Sequence, residues 1–410
     1  MKLLIKIHFT RSQQKSREGS LHLTTVLPKL GPMSVPSGSE WKWLRNGEEI
    51  FPALLAGIAG ARRSVCLEMY IYAADEPGLG VRAALIRAVQ RGVRVRVLVD
   101  GLGSYELPDE FWSPLREAGG EVRVFNPISL RRLGIRDHRK LLVCDERLAF
   151  VGGFNIAPDY LGDGVTRGWR DLGLQVGSSL AKELAEAFEE MFARAEFLHK
   201  RFPRLRPKES SVTVACANTQ LLLSGPGRGR NAIQRMLLKD LRHARDVRII
   251  VPYFLPSRGF RRGVARVARR GGKVQLILPK KSDVALSQLA SQSLYRRLLR
   301  AGVEILEYEP QVLHAKLFVV DDVVYVGSSN LDPRSLSINY EVMLRFEDAQ
   351  IATEAREIFQ DVQGHCQVVR LEAWRKSRTL WMRLKQRWAY FILTRIDPYI
   401  ARRQWRALPD

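Results

Sequence analysis

The sequence predicts an α/β protein made by duplication: two homologous α/β/α lobes with mixed, largely parallel sheets, related by a pseudo-two-fold axis and sharing one site. Three observations carry that expectation. The pattern His138-x-Lys140-x4-Asp145, followed by Gly152-Gly153-x-Asn155, returns as His314-x-Lys316-x4-Asp321, followed by Gly327-Ser328-x-Asn330. Ahead of each copy, helical stretches alternate with short β-branched runs, the order that yields parallel strands with crossover helices. The 410 residues, 46% of them hydrophobic, suffice for two packed cores.

Taken in order, residues 1–40 are rich in Ser, Lys and Pro without periodicity and read as a variable lead-in. The first lobe is expected over 41–205. Its helices are read from Ile50, over Gly80 to Gln90 and over Phe111 to Ala118, alternating with strands Ser64–Tyr72, Arg94–Asp100 and Glu121–Phe125, before the His138 hairpin. An Arg- and Pro-rich stretch, 200–208, leads to the second lobe, 206–366. There a helix from Asn231, a strand Val247–Phe254, a helix Gly259–Arg269, a strand Lys273–Pro279, a helix ending near Arg300 and a strand from Val303 precede the His314 hairpin. Residues 367–410 form a basic, Trp-rich helical tail in which Trp374, Trp381 and Trp388 stand seven apart, near one helical face. Two readings fit it: a helix packed on the second lobe, or an amphipathic helix on an anionic membrane, which the interspersed Arg and Lys favour.

The formal net charge of +23 calls for a polyanionic partner, nucleic acid or an anionic membrane surface. No run approaches the ~20 apolar residues of a spanning helix, and the apolar start is too short, and broken by Lys6, for a secretory signal. Four widely spaced cysteines read as free thiols suited to a reducing compartment, not as a zinc site.

His and Lys two residues apart on a strand share one face. Two such pairs brought together supply a nucleophile and a general acid for a phosphodiester without any metal, and two ammonium groups for its non-bridging oxygens. Asn155 and Asn330 are placed to add hydrogen bonds to those oxygens. Each imidazole needs its second nitrogen held, and the downstream acids offer themselves: Asp171 for His138 and Glu341 for His314. Asp145 and Asp321 fall where their hairpins must turn, which by local chemistry is mainly a structural position.

The two motifs resemble the paired HKD motifs of the phospholipase D superfamily, and the flanks Val151-Gly-Gly-Phe-Asn-Ile156, Trp169-Arg-Asp171, Ser328-Ser-Asn-Leu-Asp332-Pro-Arg334-Ser335 and Asn339-Tyr-Glu341 resemble bacterial cardiolipin synthases, in the short B-type form without transmembrane helices ahead of the first lobe. The similarity runs over roughly residues 41 to 365. It implies a catalytic set of His138, Lys140, Asp145, His314, Lys316 and Asp321, with no cofactor and no metal. It implies transfer of a phosphatidyl group from one phosphatidylglycerol to the hydroxyl of a second, with release of glycerol, through a covalent phosphohistidine. His138 is the implied nucleophile and His314 the general acid, although the pseudo-symmetry admits the reverse. The partners implied are phosphatidylglycerol and the membrane surface, with no nucleic acid and no obligate protein partner. The implied place is peripheral, on the cytoplasmic side of the inner membrane. The basic loop Arg131 to Arg136 is a candidate for anionic headgroups, or simply a solvated loop. Alternatives in view are a hydrolase using water, a transferase using another alcohol, a nuclease of the same superfamily, and a membrane-binding scaffold without activity.

Overall fold

Local sequence fixes most of the elements in this computed structural model, which describes residues 41–128, 134–195, 211–216, 218–226 and 230–406. The lead-in and the Arg- and Pro-rich linker lie outside the described residues. In the first lobe β1 (Trp41–Leu44), α1 (Gly47–Gly60), β2 (Ser64–Met69), α2 (Glu76–Gln90), β3 (Arg94–Asp100), α3 (Ser113–Glu117) and β4 (Glu121–Phe125) precede the hairpin β5 (Lys140–Cys144) and β6 (Leu148–Gly152). Then come β7 (Gly173–Val176) and α4 (Ser178–Ala195). Asn46 and Asp75 cap α1 and α2 by accepting backbone N–H bonds from Glu49 and Gly78.

The second lobe runs β8 (Ser211–Cys216), β9 (Thr219–Ser224), α5 (Ala232–Asp240), β10 (Asp246–Ile250), α6 (Arg258–Arg269), β11 (Lys273–Pro279), α7 (Ala285–Arg300), β12 (Glu304–Tyr308), β13 (Leu317–Val320), β14 (Val323–Gly327), β15 (Glu341–Glu347), α8 (Ala349–Gln363) and β16 (Cys366–Val368). Its sheet, β16-β12-β11-β10-β13-β14-β15-β9-β8, contains the order of the first, β1-β7-β6-β5-β2-β3-β4, read in reverse with one strand added at each edge. The duplication in the sequence is thus a duplication of topology.

Only β2-β3-β4 and β10-β11-β12 are parallel; the remaining pairs are antiparallel. The sheets are therefore mixed, but less parallel than the helix–strand alternation suggested, because strands joined by short hairpins must run antiparallel. One hydrophobic cluster draws on both lobes, joining Leu174, Leu184 and Phe188 to Val326, Leu344 and Ile351. Cys66 and Cys144 are free and buried, as expected of inert thiols.

The tail departs from a single amphipathic helix. It breaks into α9 (Leu371–Lys376), α10 (Leu380–Phe391), a π-helical turn (Ile392–Ile396) and α11 (Asp397–Arg406), with Thr379 capping α10. Trp374 is buried against Tyr295, ring centroids 4.7 Å apart, whereas Trp381 and Trp388 are 66% and 64% exposed. The packed reading thus holds for Trp374, whereas Trp381 and Trp388 face outward, since the break at Ser377–Thr379 interrupts the seven-residue period. Among the described residues no helix is long and apolar enough to cross a membrane.

Asp145 and Asp321 sit at the hairpin turns with φ of 56° and 50°. Asp145 accepts N–H bonds from Arg62 (2.8 Å), Arg63 (2.7 Å) and Ser64 (2.9 Å); Asp321 accepts from Arg245 (3.0 Å) and Asp246 (2.8 Å). Each carboxylate ties its turn to the start of the neighbouring central strand. Asp145→Ala should therefore lower the unfolding free energy by ~1–3 kcal/mol in chemical denaturation, with Asp145→Asn intermediate.

Candidate active site

The site forms where the segments entering β5 and β13 meet across the lobes. His138 N–H donates to Tyr340 O (2.9 Å), and Tyr340 N–H donates back to Arg136 O (2.9 Å). His314 N–H donates to Arg170 O (2.7 Å), and Arg170 N–H donates to Val312 O (2.8 Å). These are two short parallel bridges between lobes, Asp137 with Tyr340 and Arg170 with Leu313. Tyr340 precedes Glu341 and Arg170 precedes Asp171, so each bridge delivers the acid of one lobe to the histidine of the other.

The pairing is accordingly the exchange of the one expected. Glu341 lies 3.0 Å from His138 Nδ1, and Asp171 lies 2.7 Å from His314 Nδ1. Sequence order placed each acid with the histidine of its own repeat; the inter-lobe register, which no local pattern encodes, reverses this. With each Nδ1–H donating to a carboxylate, Nε2 of each imidazole faces away from its acid, that of His314 lying 3.1 Å from Lys316 Nζ.

All six side chains of this cluster are nearly or fully buried, and their charges act on one another. Burial first, then Lys140, Lys316 and His314, hold His138 well below the ordinary histidine value. Burial and Lys316 also lower His314, against an opposing pull from Asp171. Burial brings Lys140 down to about 7 and Lys316 down to about 8, despite the acids nearby. Two ammonium groups with depressed values mark a place built for an anion, because a bound phosphate would restore both charges.

The two acids are unlike. Burial pushes Glu341 up to about 7, although Lys140 and the Ser328 hydroxyl favour its charged form. Burial also opposes ionisation of Asp171, but His314, Lys316 and the Leu172 N–H outweigh it and lower the carboxyl below its ordinary value. Gly153 stands beside Asp171 so closely that a Cβ there would lie 2.3 Å from Oδ1. At the corresponding position of the second motif, Ser328 donates its hydroxyl to Glu341.

The other expected residues separate into two groups. Asn155 is buried at the site but already engaged: Oδ1 accepts from Ile71 N–H (3.0 Å) and Nδ2 donates to Tyr160 Oη (2.6 Å), leaving one amide hydrogen for a phosphate oxygen. Asn330 is 2% exposed, and its Oδ1 has no hydrogen-bond partner. Asp145 and Asp321 do not belong with the histidines, despite their place in the motif: β5 carries the chain about 16 Å between Lys140 and Asp145, and both carboxylates are spent on backbone N–H groups. Of the basic loop, Arg136 is fully buried against Asp100 and Asn126 O and is not open to a headgroup. Residues 131–133 lie outside the described residues. Asp100 also accepts the Asp137 N–H (2.9 Å), so this buried pair anchors the approach to His138.

Aromatic walls went unread in the sequence. Tyr70 meets the His138 ring edge-on at 4.7 Å between centroids, and Tyr160 and Trp169 lie 5.4 and 5.6 Å from the His314 ring. Comparison of the two repeats position by position would have exposed Ser328 against Gly153; nothing local singles out Tyr70 or Tyr160, and Trp169 stands out in the sequence only as a flank of Asp171. Among the described residues no group of three or more His, Cys, Asp or Glu side chains is arranged to hold a metal ion.

The exchanged pairing is directly testable. Asp171→Asn should change the tautomer and titration of His314 while leaving those of His138 in place, as read by imidazole nitrogen NMR. Turnover should fall on the order of a thousandfold. A response confined to His138 would refute the assignment.

The cardiolipin synthase, PLD-like domain family model matches residues 54–194 and 237–363. The chain is 33% identical over 376 residues to cardiolipin synthase 1 of Bacillus anthracis, covering 88% of this chain and 73% of that protein. It is 33% identical over 365 residues to cardiolipin synthase B of Salmonella typhi, covering 87% and 88%. To the major cardiolipin synthase ClsA of Bacillus subtilis it is 34% identical over 356 residues, covering 84% and 72%. Among solved structures, phosphatidylserine synthase of Haemophilus influenzae Rd KW20 matches with a TM-score of 0.69 at 15% identity, over 88% of this chain and 95% of that one, a likeness of fold. On the family match and these identities, the chain belongs to the cardiolipin synthase family of phospholipase D-like proteins.

Proposed function

We propose that this enzyme makes cardiolipin by phosphatidyl transfer between two phosphatidylglycerol molecules, with His138 as nucleophile and His314 as general acid and base. The observation that carries the reading is the crossed pair of buried imidazoles, His138 with Glu341 and His314 with Asp171, flanked by two lysines of depressed pKa. Membership of the family supplies the lipid class.

In the first step Nε2 of neutral His138 attacks phosphorus. The bond from phosphorus to the headgroup glycerol oxygen breaks, and that oxygen takes the Nε2 proton of the His314 imidazolium as glycerol leaves. In the second step neutral His314 removes the proton from a hydroxyl of the second phosphatidylglycerol, whose oxygen attacks phosphorus and releases His138. Lys140 and Lys316 neutralise the non-bridging oxygens throughout. The unlike acids favour this division of labour. A carboxylate held ionised, as at Asp171, supports an imidazolium on His314, whereas a carboxyl raised to about 7, as at Glu341, suits a neutral His138.

Both substrates are lipids, so the reaction belongs at a membrane surface, and the buried free thiols Cys66 and Cys144 suit its cytoplasmic face. The lobes as bounded above, 41–205 and 206–366 with the tail beyond, each contribute one histidine and one acid.

Incubation with phosphatidylglycerol vesicles, resolved by mass spectrometry, should yield cardiolipin and glycerol; phosphatidic acid in their place would make water the acceptor and the enzyme a hydrolase. His314→Ala, given a phosphatidyl ester with a nitrophenol leaving group that needs no protonation, should release one equivalent and hold the phosphatidyl group on His138. An adduct absent from His138 would refute its role. In the free enzyme the phosphate-binding lysines lose their protons as pH rises through about 7 to 8, so kcat/KM should fall through that range. Because bound phosphate raises both lysines, kcat should fall at higher pH than kcat/KM.

A further inference from the structure

The exposed hydrophobic side chains of this molecule are not scattered. On α10, Trp381, Leu384, Trp388 and Phe391 follow one another at three- and four-residue steps and are between 47% and 66% exposed, and Tyr399 of α11, eight residues on, is 60% exposed. The opposite side of α10 is packed: Gln386 and Ala389 are buried, Ala389 against Leu255 and Ala290, and Gln386 bonds Gln292 at 3.2 Å. The outward stripe is therefore held outward by a tight inner seam. Monomeric soluble proteins rarely leave a contiguous aromatic and aliphatic patch of this extent uncovered.

What covers it is indicated by charge and by position. Arg383 and Arg387 stand on α10 among the residues of the stripe, Arg383 donates to Arg375 O (3.3 Å), and the charges of Arg300, Arg375, Arg383 and Arg387 lower the Arg296 guanidinium. Lys385 lies 5.5 Å over the Trp381 ring. Aromatic rings at the level of lipid headgroups, with cations around them, are the chemistry of an anionic bilayer surface.

This segment from α10 through α11, the strap, also leads to the active site. Asp397, at the start of α11, accepts two hydrogen bonds from Arg334 (2.7 and 2.6 Å), on the loop that follows Asn330. Ala401 is buried against Gly134, on the approach to His138. α11 therefore touches the loops flanking the site in both lobes. Apart from Val368, the large exposed hydrophobics among the described residues that are not on the strap are Leu79, Tyr105 and Ile128. These lie beyond the C-terminal ends of β2, β3 and β4, the end at which His138 sits.

We infer that the aromatic and basic outer face of α10–α11 is the surface by which this enzyme docks on an anionic phospholipid bilayer, setting the mouth of the active site against the headgroups from which it draws substrate. The inference rests on the lipid reading of the site and adds the partner surface to it. Arg334 and Asp397 fix the strap to the catalytic loops, so docking and substrate entry share one orientation.

The test uses the full chain and Trp381→Ala/Trp388→Ala, both exposed positions outside the catalytic set. In co-sedimentation with vesicles of phosphatidylglycerol and phosphatidylcholine, the double variant should lose on the order of tenfold or more in partitioning. Arg383→Gln/Arg387→Gln should lose roughly fivefold per charge, and only on anionic vesicles. Turnover of a water-soluble short-chain phosphatidylglycerol should be unchanged in both, while turnover on vesicles falls with binding. Wild-type sedimentation by the tryptophan variant overturns the inference. So does a wild-type dimer that the variant converts to monomer in light scattering, which would assign the face to a second copy. Failure of the wild-type protein to turn over the short-chain lipid, with vesicle binding still dependent on Trp381 and Trp388, would refute the proposed function and leave the docking face standing.

Discussion

The structure depends on two short main-chain bridges between lobes, His138 with Tyr340 and His314 with Arg170. A catalytic histidine in a buried site must have its second ring nitrogen held by a charge that cannot drift, because a desolvated imidazolium without a partner is costly. Here the partner comes from the opposite lobe, one residue from a backbone hydrogen bond that fixes the register. Neither half can orient its own histidine. The lobes are thus bound together by the same contacts that prepare the chemistry, and the hydrophobic cluster that joins Phe188 of one to Leu344 of the other keeps them in that register.

The duplication is preserved in scaffolding and broken in chemistry. Asp145 and Asp321 repeat the same staple at the same turn, with the same left-handed backbone. At the site, Gly153 leaves no room beside Asp171, whereas Ser328 gives Glu341 a hydroxyl. Burial outweighs that hydroxyl and holds Glu341 near 7, whereas His314, Lys316 and the Leu172 N–H outweigh burial and hold Asp171 low. Two histidines related by symmetry thus acquire different neighbours, a difference that the proposed two-step transfer uses.

The charge of +23 finds its meaning in location. Part of it is spent inside, as the buried Arg136 and the two lysines of the site; another part gathers on the outer face of α7, α9 and α10 beside the exposed tryptophans. In the proposed reading the outer charge, solvated, meets a bilayer and the inner charge, desolvated, meets a phosphodiester. The strap of α11 connects them through the Arg334–Asp397 pair.

The sequence alone determined the duplication, the identity of the histidines and lysines, the helix–strand order and the turn role of Asp145 and Asp321, because each is written in residues close together in the chain. Strand periodicity puts His314 and Lys316 on one face without help from distant contacts. Only the tertiary structure decided which acid serves which histidine, since Asp171 and His314 are 143 residues apart and the register between lobes has no local signature. It likewise decided that Trp374 is core while Trp381 and Trp388 face outward, because a break at Ser377–Thr379 re-aims the helix. The aromatic walls of Tyr70, Tyr160 and Trp169 belong to the same class: their roles arise from packing against rings that the chain brings near them only once folded.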